Sequence, residues 1–348
     1  MFDREVALYE RLGDKGVTIS FVTYGNADDL NYQKRLPGIE ILCNWWRLPS
    51  PIYERLLHRF HGKTLESCNL IKTNQMNGAG VALRCAQRWN KPLICRMGYI
   101  WSQFIGNENG SVVKIEEFED DIFSSTDRIV VTTNEMKRDI QERIPESNGK
   151  TLVIPNYVET DRFAPDPDKP KEFDILFVGR LSPQKNVSSL LKALQNVDVK
   201  AMIIGSGELK SELQSGSHVS SNKIIWKGIV SNNELPNYMN RSSLFILPSY
   251  YEGHPKTLIE AMSCGMAVIG ADSPGIREII DHEINGYLCG TDSESIGKAI
   301  EDLLSNPGLC QEMGKNARQY AVKNFSLDRI VEIEKSLYQE IIEKTKVV

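Results

Sequence analysis

The sequence predicts an α/β protein built from two doubly wound domains that face a cleft, and three observations predict it. Short β-branched runs alternate with longer amphipathic ones along the 348 residues, the pattern of βαβ crossovers that build parallel sheets covered by helices. The alternation occurs twice, interrupted by a stretch rich in Pro and Asp from Pro155 to Pro170. The length suits two domains of ordinary size, each long enough to bury its own core.

In chain order, the first half opens on a helix, with Phe2, Val6, Tyr9 and Leu12 at helical spacing and Gly16 ending it. Strands are expected at 17–23, 39–42, 70–73, 93–96, 129–132 and 152–154, where β-branched residues cluster between turn signals. A doubly wound domain ordinarily begins with a strand that lies centrally in its sheet. None precedes the first helix, so the first domain reads as lacking its N-terminal strand, either shortened or rebuilt. The second half repeats the alternation, with strands expected at 174–178, 201–204, 224–226, 244–247, 267–269 and 287–288. The organisation expected is a first domain over 1–155, a linker over 156–170, a second domain over 171–325 and a C-terminal helix over 326–348 placed to return to the first.

Composition excludes several classes. Hydrophobic residues at 41% and charged residues at 25% are the balance of a soluble globular protein. No apolar run approaches the ~20 residues that span a bilayer, and the charged start from Met1 to Glu5 does not resemble a signal peptide. Seven cysteines are scattered without a Cys-x-x-Cys pair, which argues for a reduced, cytoplasmic protein without a cysteine metal site. The net charge of −5 hides an asymmetry: residues 41–107 carry nine Lys/Arg against Glu54 and Glu66. Such an excess reads either as a solvated helical face or as a surface for anionic lipid or a phosphorylated acceptor. The aromatic pair Trp45-Trp46 before the basic helix candidate holding His58 and His61 offers the same two readings, a face packed on its own sheet or a peripheral membrane contact.

The chemistry concentrates in the second half. After the strand at 244–247 comes Ser249-Tyr250-Tyr251-Glu252-Gly253-His254-Pro255-Lys256-Thr257-Leu258-Ile259-Glu260-Ala261-Met262. A glycine turn between strand and helix lets the backbone approach a ligand, and free N–H groups at a helix start face an anion. Pro255 suits the first helical turn. Glu252 in the turn and Glu260 one turn into the helix are placed to grip hydroxyls at two ends of one molecule. At the tip of the strand 174–178 stands Gly179-Arg180-Leu181-Ser182-Pro183-Gln184-Lys185-Asn186. There Arg180 offers a planar fork of donors and Lys185 a compact charge, a pair suited to a diphosphate. Pro183 is expected to begin the next helix and to point its positive end at the same place. Gly205-Ser206-Gly207 and Lys227-Gly228-Ile229-Val230-Ser231 close two further strands. The first is no dinucleotide fingerprint, because no third glycine follows at the required spacing.

Taken together, Gly179-Arg180-Leu181 with Lys185, Gly205-x-Gly207, Gly228, and Glu252-x7-Glu260 followed by Ala261-Met262-x-Cys264-Gly265 resemble glycosyltransferase family 4. Upstream, Ile154-Pro155-Asn156-x-Val158-x-x-Asp161-x-Phe163 is similar to that family's hinge segment. The resemblance implies a GT-B fold of two Rossmann-like domains and a retaining hexosyl transfer without a metal, in a pathway such as cell-envelope polysaccharide synthesis. The donor would be a UDP- or GDP-sugar, bound as substrate with no further cofactor. The acceptor would be a glycan or a lipid-linked sugar bound at the first domain; nucleic acid is not an expected partner. Arg180 and Lys185 would neutralise the diphosphate, Glu252 would sit at the donor sugar and Glu260 at the ribose. Backbone groups around Gly228 and Val230 would meet the base, and Gly179, Gly205, Gly253, His254, Lys256, Thr257 and Leu258 would complete the donor contacts.

The chain departs from the family where many members read Glu-Gly-Phe-Gly, since it has Glu252-Gly253-His254-Pro255. No histidine follows 93–96, where Arg96-Met97-Gly98-Tyr99 stands. Asp166-Pro167-Asp168 resembles the carboxylate pair of metal-dependent transferases but lies in the linker rather than at a strand tip. Glycosidase chemistry by Glu252 and Glu260 is disfavoured, because one is expected at the sugar and the other at the ribose. The rival readings are a sugar-nucleotide epimerase on the same fold and a shortened chain that binds donor without turnover; a nicotinamide dehydrogenase lacks its glycine turn.

Overall fold

The computed structural model describes residues 2–100, 102, 111–216 and 223–346. Contacts divide the chain into two compact units, one of Pro155–Arg329 and one of Phe2–Ile154 joined by the residues from Ile330 onward. The C-terminal helix therefore begins in one unit and ends in the other.

The C-terminal unit is a complete doubly wound domain. Its strands are β7 (Phe173–Val178), β8 (Ala201–Ile204), β9 (Ile224–Gly228), β10 (Ser242–Leu247), β11 (Ala267–Ala271) and β12 (Tyr287–Cys289). They pair in parallel in the order β9-β8-β7-β10-β11-β12. Helices cover both faces, so the central strands bury every side chain they can: Ile175, Leu176 and Phe177 on β7 and Phe245, Ile246 and Leu247 on β10 have no exposed surface. These strands read in the sequence as unbroken apolar runs. Covering them are α7 (Val187–Ala193), α8 (Lys210–Gly216), α9 (Leu235–Asn240), α10 (Lys256–Ser263), α11 (Ser293–Leu304) and α12 (Pro307–Phe325), packed on one continuous apolar core. Arg318 on α12 ties the linker to α10, donating from Nη1 to the carbonyls of Thr160, Phe163 and Ser263 at 2.7–2.9 Å.

In the first unit the expected strands form, but not as one sheet. β1 (Ile19–Val22) pairs only with β2 (Ile39–Leu42) among the described residues, while β3 (Ile71–Lys72), β4 (Leu93–Arg96), β5 (Arg128–Val131) and β6 (Thr151–Val153) make a separate parallel sheet. The core divides accordingly. Val6 of α1 (Phe2–Asp14) packs with Ile39 and Ile41 of β2. A second cluster joins Tyr53 and Leu57 of α2 (Ser50–Phe60) with Leu65 of α3 (Gly62–Ser67) and Val81 and Cys85 of α4 (Ala79–Trp89). The largest cluster lies between α4, α5 (Ser111–Ser125), α6 (Asn134–Arg143) and the four-stranded sheet. Tyr9 spans the two sheets, packing edge-on against Phe21 of β1 with centroids 5.0 Å apart and donating its hydroxyl to Asn74 Oδ1 at 3.1 Å.

Two sequence readings of this unit change. Of the nine basic residues in 41–107, Lys72 and Arg96 are buried, which lowers the surface excess from seven to five. His61 is no surface group: its ring Nε2 lies 2.8 Å from the buried Tyr53 hydroxyl, and burial pulls its pKa down. Trp46 stacks on Phe60 with ring centroids 3.7 Å apart, so half of the aromatic pair leans on the protein's own helix, although both indoles stay exposed. From Ile330 onward, α13 (Leu327–Lys346) joins this unit through Lys72–Glu334, Arg128–Glu340 and Lys15–Glu332 pairs. None of the described helices is long and apolar enough to cross a membrane.

Candidate nucleotide-sugar site

Strand order reverses between β7 and β10, which are neighbours although distant in sequence. In a doubly wound sheet the crevice outside the carboxyl ends of two such strands is where ligands bind. The tip of β7 carries Gly179 to Asn186 and the tip of β10 carries Pro248 to Pro255, so the two motifs singled out by sequence meet at the switch point.

They meet through a dense set of bonds. Lys185 Nζ lies 2.5 Å from Glu252 Oε1, with both side chains largely buried (17% and 8% exposed). Gln184 Nε2 donates to the Tyr251 carbonyl at 2.8 Å, and the Tyr250 N–H donates to the Gln184 carbonyl at 3.0 Å. Asn186 holds a left-handed backbone (φ +52°) and donates from Nδ2 to the carbonyls of Pro248 and Thr291. That conformation is one asparagine tolerates better than most residues. Pro183–Lys185 is a short 3₁₀ turn, and α7 starts only at Val187. The expected helix beginning at Pro183 is thus displaced by four residues, because the left-handed Asn186 breaks the run. What Pro183 positions is Lys185 itself.

Arg180 behaves differently. Its side chain is 74% exposed and its Nε stands 3.6 Å from Glu208, so it is held loosely at the rim while Lys185 is fixed. Of the two cations, Lys185 already faces a carboxylate, and an anionic ligand there must share it with Glu252.

The Glu252 turn is buttressed from the next strand tip. Its N–H donates to the Pro274 carbonyl at 2.9 Å, and Ser273 Oγ donates to the Ser249 carbonyl at 2.8 Å. Gly275 has φ +77°, and a Cβ there would stand 2.2 Å from the Glu252 carbonyl oxygen. Sequence reading missed Ser273-Pro274-Gly275, although Pro-Gly is a turn signal. Gly275→Ala is expected to displace the turn and cost at least ~10-fold in kcat, since an error of about 1 Å at a reacting group costs up to ~100-fold. Steady-state kinetics check this, and an unchanged kcat would show the turn to be indifferent to its support.

The remaining expected donor residues divide. Glu260 lies on α10, buried, with Oε1 accepting from Asn232 Nδ2 at 3.2 Å. Gly228 has φ +77° beside a register shift between β8 and β9, and Val230 packs against the core edge. Gly253 adjoins Glu252 in the turn and Thr257 is half-buried at the start of α10. Pro255 caps that helix rather than occupying its first turn.

Three of the expected donor positions also have a structural part. Leu258 is committed to the protein: its side chain is wholly buried in the core and its N–H donates to the Pro255 carbonyl. The ring of His254 is buried edge-on against Phe325, 4.9 Å between centroids, and its carbonyl accepts from Asn156 Nδ2; the histidine anchors the turn. Gly205 and Gly207 are small for the sake of their neighbours, since a Cβ would fall 1.8 Å from the Gly179 carbonyl oxygen and 2.2 Å from that of Leu181. These glycines let the β8 tip lie against the β7 tip, and Gly179 is where it lies. Lys256 stands 5.9 Å from the centre of the Tyr157 ring. Asp166 and Asp168 bond within the linker, where the Asp168 N–H donates to Asp166 Oδ1. No group of three or more His, Cys, Asp or Glu among the described residues could hold a metal ion.

Comparison with known proteins agrees with this geometry. Residues 159–320 match the family model of glycosyl transferases group 1, a segment that contains both motifs. The chain is 28% identical over 239 residues to the UDP-Gal:alpha-D-GlcNAc-diphosphoundecaprenol alpha-1,3-galactosyltransferase of Escherichia coli, covering 62% of this chain and 61% of the relative. It is 29% identical over 198 residues to the GDP-mannose-dependent alpha-(1-6)-phosphatidylinositol monomannoside mannosyltransferase of Mycolicibacterium smegmatis, covering 49% and 52%. The matched region thus spans only about half to three fifths of these relatives. Among solved structures, sucrose-phosphate synthase from Thermosynechococcus elongatus superposes with a TM-score of 0.84 at 20% identity, covering 97% of this chain and 92% of that one. This likeness shows the fold, and the GT-B architecture expected from the motifs is the one observed. The segment that carries the Lys185–Glu252 pair is thus the part of the chain that is similar to the group 1 glycosyltransferases.

Proposed function

We propose that the chain is a retaining glycosyltransferase that moves a hexose-type sugar from a nucleoside diphosphate to a glycan or lipid-linked acceptor, without a metal. The observation that carries this reading is the pairing of Lys185 with Glu252 at the switch point, within the segment that matches the family. In the proposed reaction the acceptor hydroxyl attacks the anomeric carbon on the face from which the diphosphate departs. The bond from that carbon to the phosphate oxygen breaks with its electron pair on the oxygen, which takes up the hydroxyl proton. Arg180 and Lys185 offset the charge that accumulates there, preorganised cations being worth most where charge develops. Glu252 meets the sugar hydroxyls and Glu260 the ribose. The UDP-Gal- and GDP-mannose-using relatives support a uridine or guanosine nucleotide as donor.

Titration of the full chain with UDP and GDP is the direct test. One of them is expected to bind with an affinity that falls in Arg180→Ala; uptake of neither would overturn the assignment. Product analysis then requires an acceptor, since release of a free epimerised sugar nucleotide would place the chain in another reaction class.

A peripheral membrane contact is the second part of the reading, supported by exposed Trp45 and Ile52 beside the exposed Arg47, Arg55 and Arg59. Ile52, Arg55 and Arg59 lie on α2 and Trp45 and Arg47 just before it, and basic residues exposed beside apolar ones suit an anionic bilayer surface. Co-sedimentation with vesicles containing phosphatidylglycerol is expected at low salt and lost at high salt; no sedimentation at low salt rejects the contact.

A further inference from the structure

Glu260 is the carboxylate that the proposed function places at the ribose, and its position is set by a chain of polar contacts that begins in the linker. Arg162 donates from Nη2 to Asn232 Oδ1 at 2.5 Å and to Glu159 Oε1 at 2.7 Å, and its Nη1 bonds Asn233 Oδ1. Asn232, just beyond β9 and 7% exposed, donates from Nδ2 to Glu260 Oε1 at 3.2 Å.

The chemistry of the three groups fixes the direction of this chain. A guanidinium can only donate, so the asparagine must turn its oxygen toward Arg162. Its amide nitrogen, which can only donate, then faces Glu260, whose carboxylate oxygen accepts. An amide orientation is usually a choice between two equivalents, but here one end of the network dictates the other. Both bonds involve a charged partner and are of the stronger class. A rotated Asn232 would set its oxygen against the carboxylate and its N–H₂ against the guanidinium, losing both.

We infer that Asn232, oriented by Arg162, is a positioning residue that presents Glu260 to the donor ribose. The inference rests on the proposed role of Glu260 and adds a residue that touches no substrate. It also explains why Arg162, within the hinge segment, turns its fork toward two asparagines just beyond β9.

The test compares the nucleoside diphosphate that the chain binds with its 2′,3′-dideoxy analogue, by calorimetry on the full chain. The wild type is expected to prefer the ribonucleotide at least ~10-fold, the size of a hydrogen bond to a charged group. Asn232→Ala is expected to weaken the ribonucleotide about 10-fold and leave the dideoxy analogue unchanged, so that the preference collapses. Arg162→Lys keeps a cation beside Glu159 but removes the fork, and is expected to lose part of the preference. It serves also if Asn232→Ala does not fold. In Glu260→Ala background, Asn232→Ala should add nothing. If Glu260→Ala abolishes the preference while Asn232→Ala and Arg162→Lys keep it, the positioning role is wrong and the reading of Glu260 stands. If Glu260→Ala itself keeps the preference, both fall together.

Discussion

Lys185→Ala is expected to lower kcat at least ~100-fold at saturating donor, the usual cost of removing one preorganised group from developing charge. Two losses coincide in this variant. In the proposed reaction the departing diphosphate loses a cation, and Glu252, 8% exposed and bonded to Lys185 at 2.5 Å, is left without the ammonium that offsets it. Arg180→Ala has only the first loss, because the Arg180 side chain is 74% exposed and its Glu208 partner is itself at the surface. It is therefore expected to lower kcat by a similar order without a change in melting temperature, while Lys185→Ala also melts lower. A variant that removes only transition-state interaction lowers kcat and kcat/KM together. Steady-state kinetics on the full chain, paired with calorimetry for the nucleoside diphosphate, separate the two cases. Wild-type turnover in both variants would remove the diphosphate from this rim.

How much of this was legible in the sequence differs between the two units for a physical reason. In the C-terminal unit the central strands are buried on both faces, so Ile175–Val178 and Leu244–Leu247 stand out as apolar runs closed by turn residues. Their tips are where Gly179-Arg180 and Glu252-Gly253 lie, and strand order alone brings those tips together. Local pattern could not show what a glycine is small for. Gly205 reads as room for a ligand, yet the nearest atom to its missing Cβ is the backbone oxygen of Gly179, a neighbour that only the sheet supplies. Nor could it place His254, whose ring faces Phe325 from the far end of the C-terminal unit's sequence.

The first unit was harder to read because its organisation depends on distant residues. Its strands were found, but the division of the sheet between β1–β2 and β3–β6 has no local signature. Lys72 illustrates the difficulty: within a basic stretch it reads as one more surface charge, while its partner Glu334 lies 262 residues away. The C-terminal helix that supplies this partner completes the first unit, so the site of a buried charge was set by the far end of the chain.

Breaking that pair is the second large effect expected. Lys72 Nζ sits 2.7 Å from Glu334 Oε1 and 2.9 Å from the Tyr338 hydroxyl, with the two side chains 8% and 0% exposed. Tyr9 lies against the same ammonium, 5.6 Å from ring centre to Nζ, and burial pushes its phenol up to about 12. Lys72→Met leaves the Glu334 carboxylate buried without its cation, which is expected to cost about 3–5 kcal/mol. For a unit of this size that corresponds to a fall in Tm of roughly 10 °C, read by circular dichroism. Burial, with Arg96 nearby, pulls the pKa of the Lys72 ammonium down in spite of Glu334, so desolvation offsets part of the attraction. Lys72→Met combined with Glu334→Leu is therefore expected to recover most of the loss, since a packed apolar pair commonly equals a buried ion pair. A double variant that melts as low as Lys72→Met would assign the loss to packing around the lysine stem, and the charge argument would fail. If it recovers, the pair acts by selecting which face of α13 docks on the first unit, because any other register would bury one of the two charges alone.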